Sequence, residues 1–132
     1  MNKTFITQSE RKEEILDWGI LLRLSGPEKT NATQLVVIEV NIKPGMGHNF
    51  HKHPLQEEVI YVIEGKIEQW VGEEKRYLSA GESVFIPANK VHASFNAGTT
   101  DAKLLAILSP CVGDEGYDLV EVYDQMPWKR LR

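Results

Sequence analysis

Apolar and polar residues alternate over much of the chain after about residue 33. In segment 35–43, apolar residues occupy every even position from Val36 to Ile42, while polar side chains enter the odd positions at Glu39. A period of two places successive side chains on opposite faces of a β-strand, so this segment predicts a strand with one buried face. Similar segments follow, separated by glycine-containing turns, and the last is DLVEVYD at 118–124. Many short strands separated by turn signals are typical of an all-β sandwich or barrel.

The first thirty residues do not follow this alternation. The segment SERKEEIL predicts a helix beginning at Ser9, whereas DWGILLRLS at 17–25 predicts a strand. We therefore expect an N-terminal arm over residues 1–33, which packs on the barrel or on a partner subunit. A barrel over 34–125 and a C-terminal tail over 126–132 complete one domain. The tail carries WKRLR and is expected to be solvated.

One predicted strand is apolar at every position. The segment VIYVI at 59–63 has no polar residue on either face, which predicts that both faces are buried. Val59, Tyr61 and Ile63 lie on its outer side in this arrangement. Either the N-terminal segment or a second subunit must then cover them, and we favour a homodimer.

Composition and charge exclude several classes of function. The 132 residues carry a net charge of −4, whereas a nucleic-acid interface needs a basic stripe. No apolar stretch is long enough to span a membrane, and the N-terminus becomes polar before it could form a secretory signal. Cys111 is the one cysteine, which excludes an internal disulfide and fits a reducing compartment. We therefore expect a cytoplasmic protein without a nucleic-acid or membrane partner.

Three of the four histidines fall within six positions. His51 and His53 are two residues apart, so on a strand their rings lie on the same face and can converge on one ion. Glu58 follows after a short turn and can approach the same point, while His48 precedes the pair. Imidazole together with carboxylate suits a transition metal better than calcium or magnesium.

The wider spacing resembles that of the cupin superfamily. The first motif of that family is G-x5-H-x-H-x(3,4)-E-x6-G, and this chain has Gly45, His51, His53, Glu58 and Gly65 at the matching positions. Two glutamates satisfy the looser spacing, but only the second leaves six residues before the final glycine. We therefore prefer Glu58 to its neighbour as the matching carboxylate.

A second motif, G-x5-P-x-G-x2-H-x3-N, is matched by Gly81, Pro87, His92 and Asn96. Asn89 stands where the family usually has glycine. Asparagine tolerates a left-handed backbone better than other non-glycine residues, so we expect this turn to keep its shape.

The resemblance implies an all-β, single-domain cupin-type β-barrel, also described as a double-stranded β-helix or jelly roll. It implies that one divalent transition metal per chain is held by His51, His53, Glu58 and His92. Four such ligands leave open positions on octahedral iron, manganese or nickel, which we favour, and they would complete a tetrahedral zinc shell.

Strand alternation suggests further residues of the pocket. In KIEQWV, either Ile67, Gln69 and Val71 or the intervening residues point inward, and we favour the first set, which makes Gln69 a candidate for orienting a ligand. Ser94 and Asn96 share a face with His92. Phe50 lines the rim or fills the core, and His48 is expected near the pocket mouth rather than as a fifth ligand. The candidate pocket residues are Gln69, Ser94, Asn96, Phe50 and His48.

Two functions from different classes follow from these features. The first is a metal-dependent enzyme, dioxygenase-like or isomerase- or lyase-like, acting on a small organic metabolite. The second is a non-catalytic module that holds a metal and a small molecule, as a sensor or carrier. A purely structural metal would instead predict a pocket closed by bulky side chains. No side chain besides the four ligand candidates stands out as a general base.

Overall fold

Two antiparallel β-sheets packed against each other form the protein, as seen in a computed structural model that describes residues 3–132. The strands are β1 (Lys12–Leu16), β2 (Gly19–Ser25), β3 (Val36–Ile42), β4 (Gly47–Lys52), β5 (Glu57–Glu64), β6 (Lys66–Val71), β7 (Glu74–Ser79), β8 (Ser83–Ile86), β9 (His92–Asn96), β10 (Ala102–Ser109) and β11 (Val120–Glu121). Short helical turns occur at Gln8–Glu10 (a 3-10 turn), Pro27–Thr30 (α1) and Trp128–Leu131 (α2). Over residues 3–132, no helix has the length and apolar character that crossing a bilayer requires.

The strand order is that of a jelly roll. One sheet has the order β1-β2-β3-β10-β5-β8, and the other has the order β11-β4-β9-β6-β7. Strands far apart in the chain are therefore neighbours, as in β3 with β10 and β4 with β9. The all-β jelly-roll prediction is confirmed, although the described strands form two separate sheets rather than one closed barrel.

The main core lies between the two sheets. Val36, Ile38 and Ile42 point inward from β3 and are at most 4% exposed, as the alternation in this segment predicted. Apolar residues of β5 and β10 meet them, including Val62 and Leu104. One face of each strand is thereby removed from water, which is the main favourable contribution to folding.

A second apolar cluster covers the outer face of the five-stranded sheet. Its buried members are Phe50, Trp70, Ala93, Phe95 and Val122, and Val91, Trp128 and Leu131 pack against them. The guanidinium carbon of Arg132 lies 3.6 Å from the ring centre of Phe95, and its Nε donates to Glu68 at 2.8 Å. Lys129 and Arg130 of the C-terminal tail are exposed, as expected of a solvated segment, whereas Trp128, Leu131 and Arg132 cover aromatic surface that would otherwise meet water.

The N-terminal segment forms strands rather than a helix. After the turn at Gln8–Glu10, β1 pairs antiparallel with β2, and β2 pairs with β3. The strand predicted at 17–25 is confirmed as β2, whereas the helix predicted from Ser9 is wrong. Pairing along the neighbouring strand satisfies the backbone of β1, and this gain exceeds the weak helical preference of its charged residues.

The outer side of β5 is exposed in the single chain. Val59, Tyr61 and Ile63 are 37, 42 and 37% exposed. The strands β1 and β2 extend the sheet beyond β3, on the side of β10 that lies away from β5. The N-terminal segment therefore does not cover this face, which corrects one of the two alternatives.

The last predicted strand is much shorter than expected. Of the segment 118–124, only Val120–Glu121 pairs as β11, alongside β4. The amide of Val122 still donates to the carbonyl of Phe50 at 3.0 Å, and a turn follows in which Gln125 bonds back to Val122. This turn directs the chain into α2 and the outer apolar cluster.

Candidate metal centre

Three buried histidines converge between the sheets. His51 on β4 lies opposite His92 on the neighbouring β9, and His53 follows directly after β4. They are 4, 1 and 5% exposed, and one ring nitrogen of each lies within 4.8 Å of the others. The alternation of β4 and its pairing with β9 thus bring together the three histidines that the two motifs predicted.

Each of these histidines is oriented by a backbone carbonyl. The Nδ1 atoms of His51, His53 and His92 lie 2.6, 2.6 and 2.9 Å from the carbonyl oxygens of Asn49, Asp118 and Lys90. A carbonyl oxygen can only accept, so Nδ1 carries the hydrogen and Nε2 keeps its lone pair. Fixing the tautomer through the outer nitrogen is how metal-binding histidines are usually held.

Glu58 reaches the same point from the opposite sheet. Its Oε1 lies 3.0 Å from Nε2 of His92 and 3.5 Å from Nε2 of His53. Within the described residues, neither Glu58 Oε1 nor His92 Nε2 has a hydrogen-bond partner, although both are buried. A buried polar atom without a partner costs about 1–3 kcal/mol. Two such atoms facing one point therefore fit a bound cation, and the three nitrogens and one carboxylate suit a transition metal.

Burial keeps two of the histidines in the form that binds metal. Desolvation, with smaller effects from His48, His92 and His53, holds the pKa of His51 well below its usual 6.5. Desolvation also lowers the pKa of His53 and outweighs the opposing effect of Glu58. Both rings are therefore neutral at neutral pH, and a neutral imidazole is the ligand form.

These pKa shifts predict acid sensitivity of the metal-free protein. Histidines in the unfolded chain take up protons near 6.5, whereas folded His51 and His53 remain neutral to lower pH. The unfolded state therefore binds more protons in that interval, and the free energy of unfolding falls as pH drops below 6.5. Melting temperatures with a chelator between about pH 5 and pH 8 test this. The His51→Gln variant should show a flatter profile, and a wild-type melting temperature that rises toward acid would contradict the prediction.

The turn before His92 has the shape that its sequence predicted. Asn89 has a φ of 67°, in the left-handed region, so asparagine supplies the conformation that glycine usually gives in this motif. Its amide donates to the carbonyl of His53 at 2.9 Å. The turn thereby joins the segment before His92 to the end of β4, where His51 and His53 lie.

A cavity of about 60 Å³ adjoins the histidines. Two of the candidate pocket residues, His48 and Ser94, line it. The ring of His48 stacks on His51 with 3.6 Å between centroids and on Trp18 with 5.1 Å between centroids. Its Nε2 lies 3.6 Å from Glu121 Oε1. His48 therefore flanks the ligand cluster and belongs to the cavity wall.

Gln69 and Asn96 do not line this cavity, which corrects two of the predicted pocket positions. Phe50 does not line it either and instead fills an apolar core, the second of the two places predicted for it. Phe50 lies between inward positions of β4, so its side chain points to the outer cluster, where it is 1% exposed. Gln69 lies behind Ser94 and accepts from the Ser94 hydroxyl at 2.6 Å. Its inward direction is confirmed, but Ser94 separates it from the histidines.

Asn96 has a structural place in the fold. Its Nδ2 donates to the carbonyls of Ile42 and Thr100, both at 2.8 Å, and its Oδ1 accepts from the amide of Gly98. These bonds hold the turn between β9 and β10 against the end of β3. The side chain is thereby committed to backbone partners.

Trp18 and Tyr117 also line the cavity, although no sequence pattern predicted this. Trp18 lies in the turn between β1 and β2, and Tyr117 lies in the loop after β10. The centroid of the Tyr117 ring is 5.9 Å from that of His53. Both residues are distant from the histidine cluster in the sequence, and no local spacing predicts such contacts.

The chain resembles known proteins in sequence and in fold. A family model described as Cupin domain matches residues 38–108. Polyketide synthase CurC of Streptomyces cyaneus is 33% identical over 92 residues, which are 70% of this chain and 60% of that protein. Quercetin 2,3-dioxygenase of Bacillus subtilis is 24% identical over 106 residues, covering 80% of this chain and 31% of the dioxygenase.

A solved structure agrees with this fold. KdgF from Halomonas sp. superposes with a TM-score of 0.74 at 20% identity, covering 86% of this chain and 98% of that one. At this identity the likeness establishes the fold. The chain spans less than two thirds of CurC and about a third of the dioxygenase, so their whole activities are not carried over by the match.

Proposed function

The chain belongs to the cupin domain family, and from that premise we propose that it is a metal-dependent enzyme acting on a small organic metabolite. The observation that carries the proposal is the convergence of three histidines with Glu58. Their Nδ1 atoms are engaged by carbonyls, and Glu58 Oε1 and His92 Nε2 have no hydrogen-bond partner in the described chain. Oxygenation or isomerisation is the reaction class that we favour.

The residues of the site have distinct tasks in this proposal. His51, His53, His92 and Glu58 would hold one iron, manganese or nickel ion, which would supply Lewis acidity or dioxygen activation when bound. The carbonyls behind the histidines fix the direction of each ring. The cavity beside the cluster supports a catalytic rather than a purely structural ion, because a structural site needs no adjacent space.

Metal analysis combined with oxygen uptake tests the proposal. Protein purified without a tag is reconstituted anaerobically with ferrous, manganous or nickel ions, and metal content is measured after desalting. We expect about one ion per chain and, with a panel of small enols, diols and oxo acids, either oxygen consumption or isomerised product. Metal binding without turnover would support the sensor or carrier alternative, and absence of metal binding would contradict the proposal.

We also propose that two copies pair through the outer face of β5. Val59 lies beside Phe85 of β8 and Ile107 of β10 in the sheet register, and Tyr61 lies beside Leu105. These side chains form a continuous apolar surface, and such surfaces commonly mark interfaces. A second copy would cover it.

Solution mass tests the dimer. Light scattering at micromolar concentration should give twice the chain mass of 15.0 kDa. Val59→Lys should shift the mass to that of one chain, because it places a charge within the apolar face. Tyr77→Lys, at a 52% exposed position on β7 of the other sheet, is the matched control and should remain dimeric. A wild-type mass near 15.0 kDa would contradict the proposal.

A further inference from the structure

We propose that the cavity selects a small molecule with one oxygen-bearing end and a short, uncharged apolar body. The oxygen end faces the histidine cluster, and the apolar body faces the six-stranded sheet. This inference rests on the proposed function, because it assigns the substrate class of the same site. It follows from the unequal chemistry of the two walls.

The wall opposite the histidines is entirely aliphatic apart from Glu58. It is formed by side chains from β2, β3, β5 and β10 of the six-stranded sheet: Leu21, Ile38, Val40, Ile42, Ile60, Leu104, Ala106 and Leu108. The histidines and Ser94 come from the five-stranded sheet and the turn after β4. Trp18 and Tyr117 complete the lining, and a ligand between the sheets therefore has the histidines and Ser94 on one side and mainly hydrocarbon on the other.

The cavity lining provides no lysine or arginine for a second acidic group. Among the described residues that line it, none is lysine or arginine, and Glu58 is the one carboxylate. The Ser94 hydroxyl donates to Gln69, so Ser94 offers the cavity only acceptor lone pairs. A carboxylate pressed against the aliphatic wall would lose its hydration without gaining a partner, which is strongly unfavourable.

Arg23 lies behind the wall and does not supply this charge. Its Nη2 donates to Glu14 at 2.7 Å and to the Tyr117 hydroxyl at 3.2 Å, and its guanidinium carbon is 5.1 Å from the Tyr117 ring centre. Its Nη1 has no protein partner in the described chain. Arg23 lines a separate space of about 10 Å³, shared with Glu115 and others, which is about the size of one water molecule. Tyr117, rather than Arg23, contacts the histidine cavity.

The size of the cavity limits the apolar body. Its volume of about 60 Å³ is less than half of the roughly 150 Å³ that accommodates benzene in an apolar protein cavity. About two or three carbons therefore fill this space, and a longer body would extend through its open side. Each methylene group placed against the wall should improve binding about fourfold.

Matched carboxylate probes test the inference. Acetate, propionate, butyrate and succinate are titrated calorimetrically into metal-loaded protein, and metal content is measured on the same sample. Butyrate should bind about fifteenfold more tightly than acetate, from two methylene groups. Succinate has the same number of carbons as butyrate and should bind at least about thirtyfold more weakly, because its second carboxylate meets the aliphatic wall. Equal affinity for acetate and butyrate, or preference for succinate, would overturn the inference.

A pair of variants tests whether the methylene groups of butyrate contact the aliphatic wall. Ala106→Val narrows the cavity from β10 and should weaken butyrate about tenfold while changing acetate less than about threefold. Lys103→Ala, on the opposite face of the same strand and outside the proposed dimer surface, is the control and should leave both affinities unchanged. If butyrate affinity were insensitive to Ala106→Val, the probe would lie elsewhere and the inference would be wrong.

The measured metal content distinguishes a failure of the proposed function from a failure of this inference. A sample that binds no metal contradicts the proposed function, and the wall is then tested on metal-free protein with 1-butanol and 1,4-butanediol. Tighter binding of 1-butanol would support the selection of an apolar body, and equal binding would overturn it. A sample that binds metal and shows no apolar preference overturns this inference alone.

Discussion

Replacing His92 by alanine is expected to reduce bound metal from about one ion per chain to a trace after desalting. Loss of a group that only hydrogen-bonds to a metal ligand typically weakens metal binding about 10- to 100-fold. Loss of the ligand itself should therefore weaken binding by more than this. His92 is 1% exposed and its Nε2 lies 3.0 Å from Glu58 Oε1, so the ring faces the proposed ion directly, and alanine has no atom that could replace it as a ligand. Elemental analysis of wild type and variant purified in parallel measures the effect.

Two further variants make this result interpretable. His92→Gln retains much of the side-chain volume and should lose metal as well, which separates ligand loss from a cavity in the core. His48→Ala removes a histidine that stacks on His51 at 3.6 Å but belongs to neither motif. It should retain about one ion per chain. Full metal content in folded His92→Ala would contradict the assignment of the centre.

The convergence of His51 and His53 could be predicted because it depends on a short-range regularity, whereas His92 was assigned only through the second motif of the family that the sequence resembles. His51 and His53 are two residues apart in a strand, and a period of two fixes their common face. The conformation of Asn89 was predictable in the same way, because few residues other than glycine adopt a φ of 67°. These features depend on backbone sterics and on spacing within one segment.

The rest of the cavity depends on which distant strands become neighbours. Trp18 and Tyr117 reach it from turns separated by most of the chain, and strand order cannot be read from alternation. The helix predicted after Ser9 was wrong for a related reason. Its residues acquire strand structure only through pairing with β2, which local preference does not register.

The outward direction of Phe50 on β4 could also be predicted from the sequence. If His51 and His53 point inward, Phe50 and Lys52 must point outward on the same strand. What the alternation could not show is that the outer face of the five-stranded sheet is itself covered. That cover comes from the C-terminal segment, whose Trp128 ring centre lies 5.5 Å from that of Phe50.

The second large effect that we expect is on stability, and it comes from the outer apolar cluster. Phe50→Ala should lower the free energy of unfolding by about 3–5 kcal/mol. Phe50 is 1% exposed and packs against Trp70, Phe95 and Trp128 with ring centres 5.5, 6.4 and 5.5 Å away. Truncation removes these contacts and leaves a cavity that the surrounding rigid sheet cannot close.

Chemical denaturation, followed by tryptophan fluorescence and circular dichroism, measures this loss. Phe50→Leu should cost less, about 1–2 kcal/mol, because it keeps most of the buried hydrocarbon. Tyr123→Ala, at a 47% exposed position beyond β11, is the control and should change stability by less than about 0.5 kcal/mol. The fraction of Phe50→Ala that remains folded should still bind one metal ion per chain, because its side chain lies on the far side of β4 from the ligands. Loss of metal at unchanged stability would instead place Phe50 in the cavity and contradict its assignment to the outer cluster.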